Sequence, residues 1–135
     1  MKAAVTVLTL LALASVPLNA AGPQTIQVDQ LAADAPGDQS VANLITAKLI
    51  SALTKRGLPV VEDEADAVLT GSYQIASASR NGYTRYRIQG AMRLSDKDGK
   101  VLWGDVVTSG AFARSASSSF ADNVAEKVAA FWKHR

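Results

Sequence analysis

Few side chains in this sequence are spaced to do chemistry, and the most informative are arginines. Arg85, Arg87 and Arg93 recur at even intervals in a stretch that alternates polar and apolar residues, and Arg80 lies just upstream. Alternation places residues two apart on the same side of a strand, so the three converge on one sheet face. Guanidinium forks pair with planar anions, and such a face suits docking of a carboxylate-rich or phosphorylated partner. A strand face kept in water by its charge uses the same residues, and the sequence leaves both readings open. Tyr83 and Trp103 are expected on that face too, where exposed aromatics beside arginine favour an interface. The candidate partner-binding residues are therefore Arg80, Tyr83, Arg85, Arg87, Arg93 and Trp103.

Catalysis finds little to work with. The single histidine, His134, is one residue from the end, where no neighbours would hold its ring. Glu62, Asp63, Glu64 and Asp66 form an acidic cluster, and Asp96-Lys97-Asp98-Gly99 resembles the opening of a calcium loop. The later bidentate carboxylate of such a loop is missing, and both segments have the composition of turns. Ser115, Ser117, Ser118 and Ser119 lack a histidine or lysine to activate them. The chain reads as a non-enzyme with no catalytic, cofactor or metal site.

The start of the chain points to export. Met1 and Lys2 precede an uncharged, largely apolar run from Ala3 to Val16, then Pro17 and the small-residue stretch Leu18-Asn19-Ala20-Ala21. A basic start, an apolar run too short for a stable span and small residues before a cleavage site describe a signal peptide over residues 1–20. Residues 21–135 then form a single domain with no integral span, periplasmic or secreted. Removing Lys2 lowers the formal net charge from +2 to +1, too weak a field to favour nucleic acid as partner. With no cysteine, the core must hold the fold without disulfides, and a lipidated N-terminal cysteine is excluded.

The elements that would position the arginines follow from periodicity. Thr25–Val28 reads as a short strand and Asp29–Gln39 as a loop. Val41, Leu44, Ile45, Leu49 and Leu53 give a helical stripe, with Ser40 as cap and Gly57 as the left-handed stop. Leu58–Val61 reads as a second strand, parallel to the first across that helix. Three alternating segments follow, Ala67–Ala78, Tyr83–Leu94 and Val101–Phe112, joined by Ser79–Gly82 and Asp96–Lys100 as hairpin turns. The third carries apolar residues at both parities and is expected to be buried on both faces. After a serine-rich connection, Ser119 and Asp122 suggest a capping box for a last helix with Phe120, Val124, Val128 and Phe131 as its stripe. The order β-α-β-β-β-β-α predicts an α+β two-layer sandwich, a mixed sheet of about five strands with two helices on one face.

The segments Ala65-Asp66-Ala67-Val68-Leu69-Thr70-Gly71-Ser72-Tyr73 and Leu94-Ser95-Asp96-Lys97-Asp98-Gly99-Lys100-Val101-Leu102-Trp103-Gly104, with a helix on either side, carry a family resemblance. The layout resembles bacterial envelope modules of the CsgG-like, TolB N-terminal and LptE types. The resemblance gives structural roles: Asp66 starting a strand, Gly71 letting a helix pack on the sheet, Asp98-Gly99 turning a hairpin. It implies a non-enzymatic accessory or scaffold domain that binds a protein partner of the bacterial cell envelope and serves outer-membrane assembly. A carrier for a small apolar ligand or lipid, held between helices and sheet, is the alternative.

Overall fold

The computed structural model describes residues 23–33, 39–112 and 115–135; the signal peptide read at residues 1–20 lies outside them. The elements in chain order are β1 (Ile26–Val28), β2 (Ala32–Ala33), α1 (Gln39–Lys55), β3 (Ala67–Arg80), β4 (Tyr83–Asp96), β5 (Val101–Phe112) and α2 (Ala116–Lys133). One mixed sheet runs β1-β3-β4-β5, with β2 also on β3. β1 and β2 pair parallel to β3, and β3, β4 and β5 form an antiparallel meander. Both helices cover the same face, giving the expected two-layer α+β sandwich.

The expected parallel strand at Leu58–Val61 joins the sheet through one bridge, Ile26 to Val60, because Pro59 lacks an N–H and Glu62 to Glu64 turn the chain away. Within the stretch read as a loop, Ala32–Ala33 pair with Ser72 and Tyr73 as a two-residue strand. Residues 34–38 lie outside the described residues.

In α1 the buried stripe is Ala42, Ile45, Leu49, Ala52 and Leu53, while Leu44 lies round the flank and is 48% exposed. The helix begins at Gln39, so Ser40 sits inside its first turn and not at the cap position. Its other end closes as expected, with Gly57 at φ +82. The Leu58 N–H donates to the Leu53 carbonyl at 3.2 Å and the Gly57 N–H to the Thr54 carbonyl at 3.0 Å. These two bonds satisfy carbonyls the helix would otherwise leave open.

α2 begins three residues before the expected capping box. Ser119 lies in the first turn and donates its N–H to the Ser115 carbonyl at 2.8 Å, and Asp122 reaches Arg56 at 3.8 Å. Burial of Ala116 and Ser117 accounts for the early start. Phe120, Val124 and Val128 are fully buried and meet Ile45, Leu49, Leu53, Leu69, Tyr73, Ile88 and Leu94 in one core.

The hairpins set the register of the sheet. Asn81 (φ +51) and Gly82 (φ +82) form a two-residue turn that pairs Arg80 with Tyr83. In the second turn the Asp96 carboxylate Oδ1 accepts from the Asp98 and Lys100 N–H groups, each at 2.9 Å. A register shift follows at Leu94/Ser95, so that Leu94 faces Trp103 and Ser95 faces Val101. That shift corrects the expectation for β5: Trp103, Val107, Ser109 and Ala111 turn to the helices, whereas Val101 and Val106 are 51% and 55% exposed on the outer face.

Candidate interaction surface

The helices leave the other sheet face open. Even-numbered residues of β3 share that face with odd-numbered residues of β4, as the pairs Thr70–Arg93, Gln74–Gln89, Ala76–Arg87, Ala78–Arg85 and Arg80–Tyr83 define. Five of the six candidate residues therefore stand together: Arg80, Tyr83, Arg85, Arg87 and Arg93, all exposed. No Asp, Glu or Lys occurs between Ala67 and Ser95, so the face is positive along its length. Tyr83, 69% exposed, marks its far end at the hairpin tip.

Trp103 does not belong to this set. It pairs with fully buried Leu94 and packs against the core on the helix side. The register shift next to it decides its face, and alternation within β5 alone gives no link to the parity of β4.

Between Arg93 and the start of β5 the outer face is concave. A trough of ≈ 690 Å³ is lined by Thr70, Ser72, Ala91, Arg93, Val101 and Val106, among others. Small side chains make its floor, and exposed valines form one wall. Apart from Arg93, these residues are not among those the sequence singles out. Their signal is the run Thr70, Ser72, Gln74, Ala76, Ala78, small or polar at every second position opposite the core face of β3.

The hairpin also outruns its cover. From Gln74 to Tyr83 every residue is exposed, including Ile75 at 36%, so this part of β3 and β4 projects past the helices. Arg80, Tyr83 and Arg85 are carried on that projection.

Other polar features have structural partners. Asp66 accepts the Gln24 N–H at 2.9 Å and stands 3.3 Å from Lys97 Nζ; its N–H donates to Thr25 Oγ1 at 2.9 Å. The Gln24 N–H chiefly, and then Lys97, hold its carboxyl below the ordinary value of 3.8. Asp66 thus stands at the start of β3, in the role the resemblance implies, and clamps the N-terminal segment. Gly71 has a different role from the implied one, since Met92 packs over it: a Cβ there would collide with Met92 Sδ. His134 is exposed beyond the last turn, where Arg135 stacks on the Trp132 ring at 4.0 Å and bonds its carbonyl. Among the described residues no three His, Asp or Glu side chains gather as metal ligands would. Among them, too, no helix is long and apolar enough to cross a membrane.

Residues 24–130, from the Asp66 clamp through most of α2, match the family model LptE, described as lipopolysaccharide-assembly. The chain belongs to the LptE family. This bears out the LptE part of the resemblance, and membership assigns the LptE-family chain an accessory role in the cell envelope, in outer-membrane lipopolysaccharide assembly. A search of the curated proteins finds no match. Among solved structures the fold is similar to a PelC dodecamer subunit from Paraburkholderia phytofirmans, 18% identical over 83% of this chain and 88% of that one, TM-score 0.58. Lipoprotein GNA1162 from Neisseria meningitidis is 14% identical over 84% of this chain and all of that one, TM-score 0.57. A minor lipoprotein from Acinetobacter baumannii is 15% identical over 79% and 90%, TM-score 0.54. At these identities the likeness is one of fold.

Proposed function

We propose that this chain is a non-enzymatic accessory domain of lipopolysaccharide assembly that docks an envelope protein through the open face of its sheet. The observation that carries the reading is the set Arg80, Tyr83, Arg85, Arg87 and Arg93 on one face that the described residues leave uncovered, with no carboxylate from Ala67 to Ser95. Fold and face divide the work. The helices and core fix a rigid sheet, and the sheet displays guanidinium groups at strand spacing, where they meet acidic groups of a partner. The family's description, lipopolysaccharide-assembly, supports a partner within the cell envelope. The basic start and small-residue stretch at residues 1–20 support export, with the domain working on the periplasmic side of the outer membrane.

The carrier alternative requires an apolar pocket between helices and sheet. That space is filled by Tyr73, Phe120, Ile45 and Leu49, each at most 1% exposed, which favours docking over carriage. The deciding experiment changes Arg85 and Arg87 to Glu and compares capture of envelope proteins with that of the unaltered chain. Folding is expected to persist and capture to be lost; undiminished capture would remove this face from the function.

A further inference from the structure

The register of the sheet leaves one strand edge with its backbone groups turned outward. The Ala67 N–H donates to the Thr25 carbonyl at 3.1 Å, and the Leu69 carbonyl accepts the Asp29 N–H at 2.9 Å. Odd-numbered residues at the start of β3 therefore bond towards β1. The N–H and C=O of a paired strand residue point to the same side, so even-numbered residues of β3 bond towards β4. Following Ser72–Ala91 and then Ala91–Val106 across the sheet leaves Gly104, Val106, Thr108 and Gly110 with their N–H and C=O directed away from β4. Among the described residues, nothing pairs with that side of β5.

Asp105 guards the edge. Its Oδ1 accepts the Val106 N–H at 2.8 Å, which agrees with the outward direction of that group, and its Oδ2 stands 3.4 Å from Lys127 Nζ. One charged side chain is light protection for a twelve-residue edge strand.

Gly104, Val106, Thr108 and Gly110 lie on the arginine face, and the two glycines are level with arginines. Gly104 pairs with Arg93 and Gly110 with Arg87. A Cβ at Gly110 would lie 3.8 Å from an Arg85 guanidinium nitrogen, so the Arg85 side chain reaches over this strand. A strand laid beside β5 would thus present its outer side chains to the arginines at the level of Arg93 and Arg87 with no β5 side chain in between.

We propose that the β5 edge takes up an extended acidic segment of the partner protein as an added strand. The segment carries carboxylates level with Arg93 and Arg87 and an apolar residue level with Val106. Gly104 and Gly110 are six residues apart, about 20 Å along a strand, so the carboxylates stand at i and i+6. Backbone hydrogen bonds supply affinity and the arginines supply selectivity. The inference rests on the docking reading and adds the partner's chemistry and its place on the sheet.

The probe is a labelled peptide, Thr-Glu-Thr-Val-Thr-Val-Thr-Glu-Thr, whose symmetry suits either strand direction, with a counterpart bearing Lys in place of Glu. Binding to the full chain is followed by fluorescence anisotropy at low salt. The Glu peptide is expected to bind on the order of tenfold more tightly than the Lys peptide and to slow amide exchange at Val106 and Thr108. V106P removes an outward N–H and no ladder bond, and is expected to abolish binding. G104V fills the space level with Arg93 and serves where V106P fails to fold; binding is expected to weaken at least fivefold. Equal binding of the two peptides, unchanged binding by either folded variant, or protection elsewhere would overturn the proposal. So would a chain dimer through β5 that excludes the peptide. If the Arg85 and Arg87 changes abolish partner capture while the Glu peptide fails to bind, the docking face stands and the edge proposal falls. If the peptide binds and capture survives those changes, the docking reading falls instead.

Discussion

The ring of Phe120 stands directly on the backbone of Gly90. A Cβ built on Gly90 would lie 2.5 Å from Phe120 Cζ and 3.3 Å from the Ser72 carbonyl oxygen. Here α2 lies against the sheet backbone, at a residue whose want of a side chain makes room for the Phe120 ring.

Gly90→Ala is therefore expected to destabilise the fold by about 1–3 kcal/mol through overpacking. Gly82→Ala has nothing within 4 Å of its new carbon and costs only the strain of φ +82, about 1 kcal/mol. Urea unfolding of both variants checks the order. Combining Phe120→Leu with Gly90→Ala is expected to cost less than the sum of the two changes, because the shorter side chain leaves room for the methyl group.

Asp66 gives stability a pH dependence at the acid end. Its carboxyl is lowered in the folded chain, chiefly by the Gln24 N–H and next by Lys97, so its ionised form favours folding. The contribution is present in full above the ordinary carboxylate range and disappears as pH falls through the lowered value. Asp66→Asn is expected to be less stable than the natural chain at pH 7, and the gap to close as pH drops below about 4. Thermal melts across pH 2.5–7 measure it; a gap independent of pH would refute it.

The two sheet faces predict opposite responses to charge. Trp103→Glu places a carboxylate against the core and is expected to cost more than about 3 kcal/mol. Arg87→Glu changes a solvated face and is expected to stay within about 0.5 kcal/mol. Equal losses in denaturant would mean that the register assigned to β5 is wrong.

Much of this arrangement was legible in residue order. Tyr86, Ile88, Gly90, Met92 and Leu94 alternate with Arg87, Gln89, Ala91 and Arg93, so β4 could be oriented without its neighbours, and Asn81-Gly82 fixed the first hairpin. Trp103 was not legible. Its face depends on how a five-residue turn resolves into a register shift, which the chain settles through the Asp96 carboxylate and its two backbone donors. The start of α2 was obscured because serines suit both a cap and a first turn, and burial of Ala116 and Ser117 decides between them. Gly71 and Gly90 look alike in the sequence, and only the packing of Met92 and Phe120 tells their roles apart.

The pairing of β1 with β3 has a consequence for the order of assembly. β3, β4, β5 and α2 are consecutive, and each finds its neighbour through a short connection, whereas Thr25 and Asp66 meet across 41 positions. Closing so wide a span carries an entropic cost that local hairpins escape. The meander and last helix are thus expected to form early, with the N-terminal segment docking onto a sheet already made. Deuterium uptake at Gln27 and Asp29, whose amides face β3, is expected to run ahead of uptake at Ile88 and Met92, so β1 is the last strand to arrive and the first to leave.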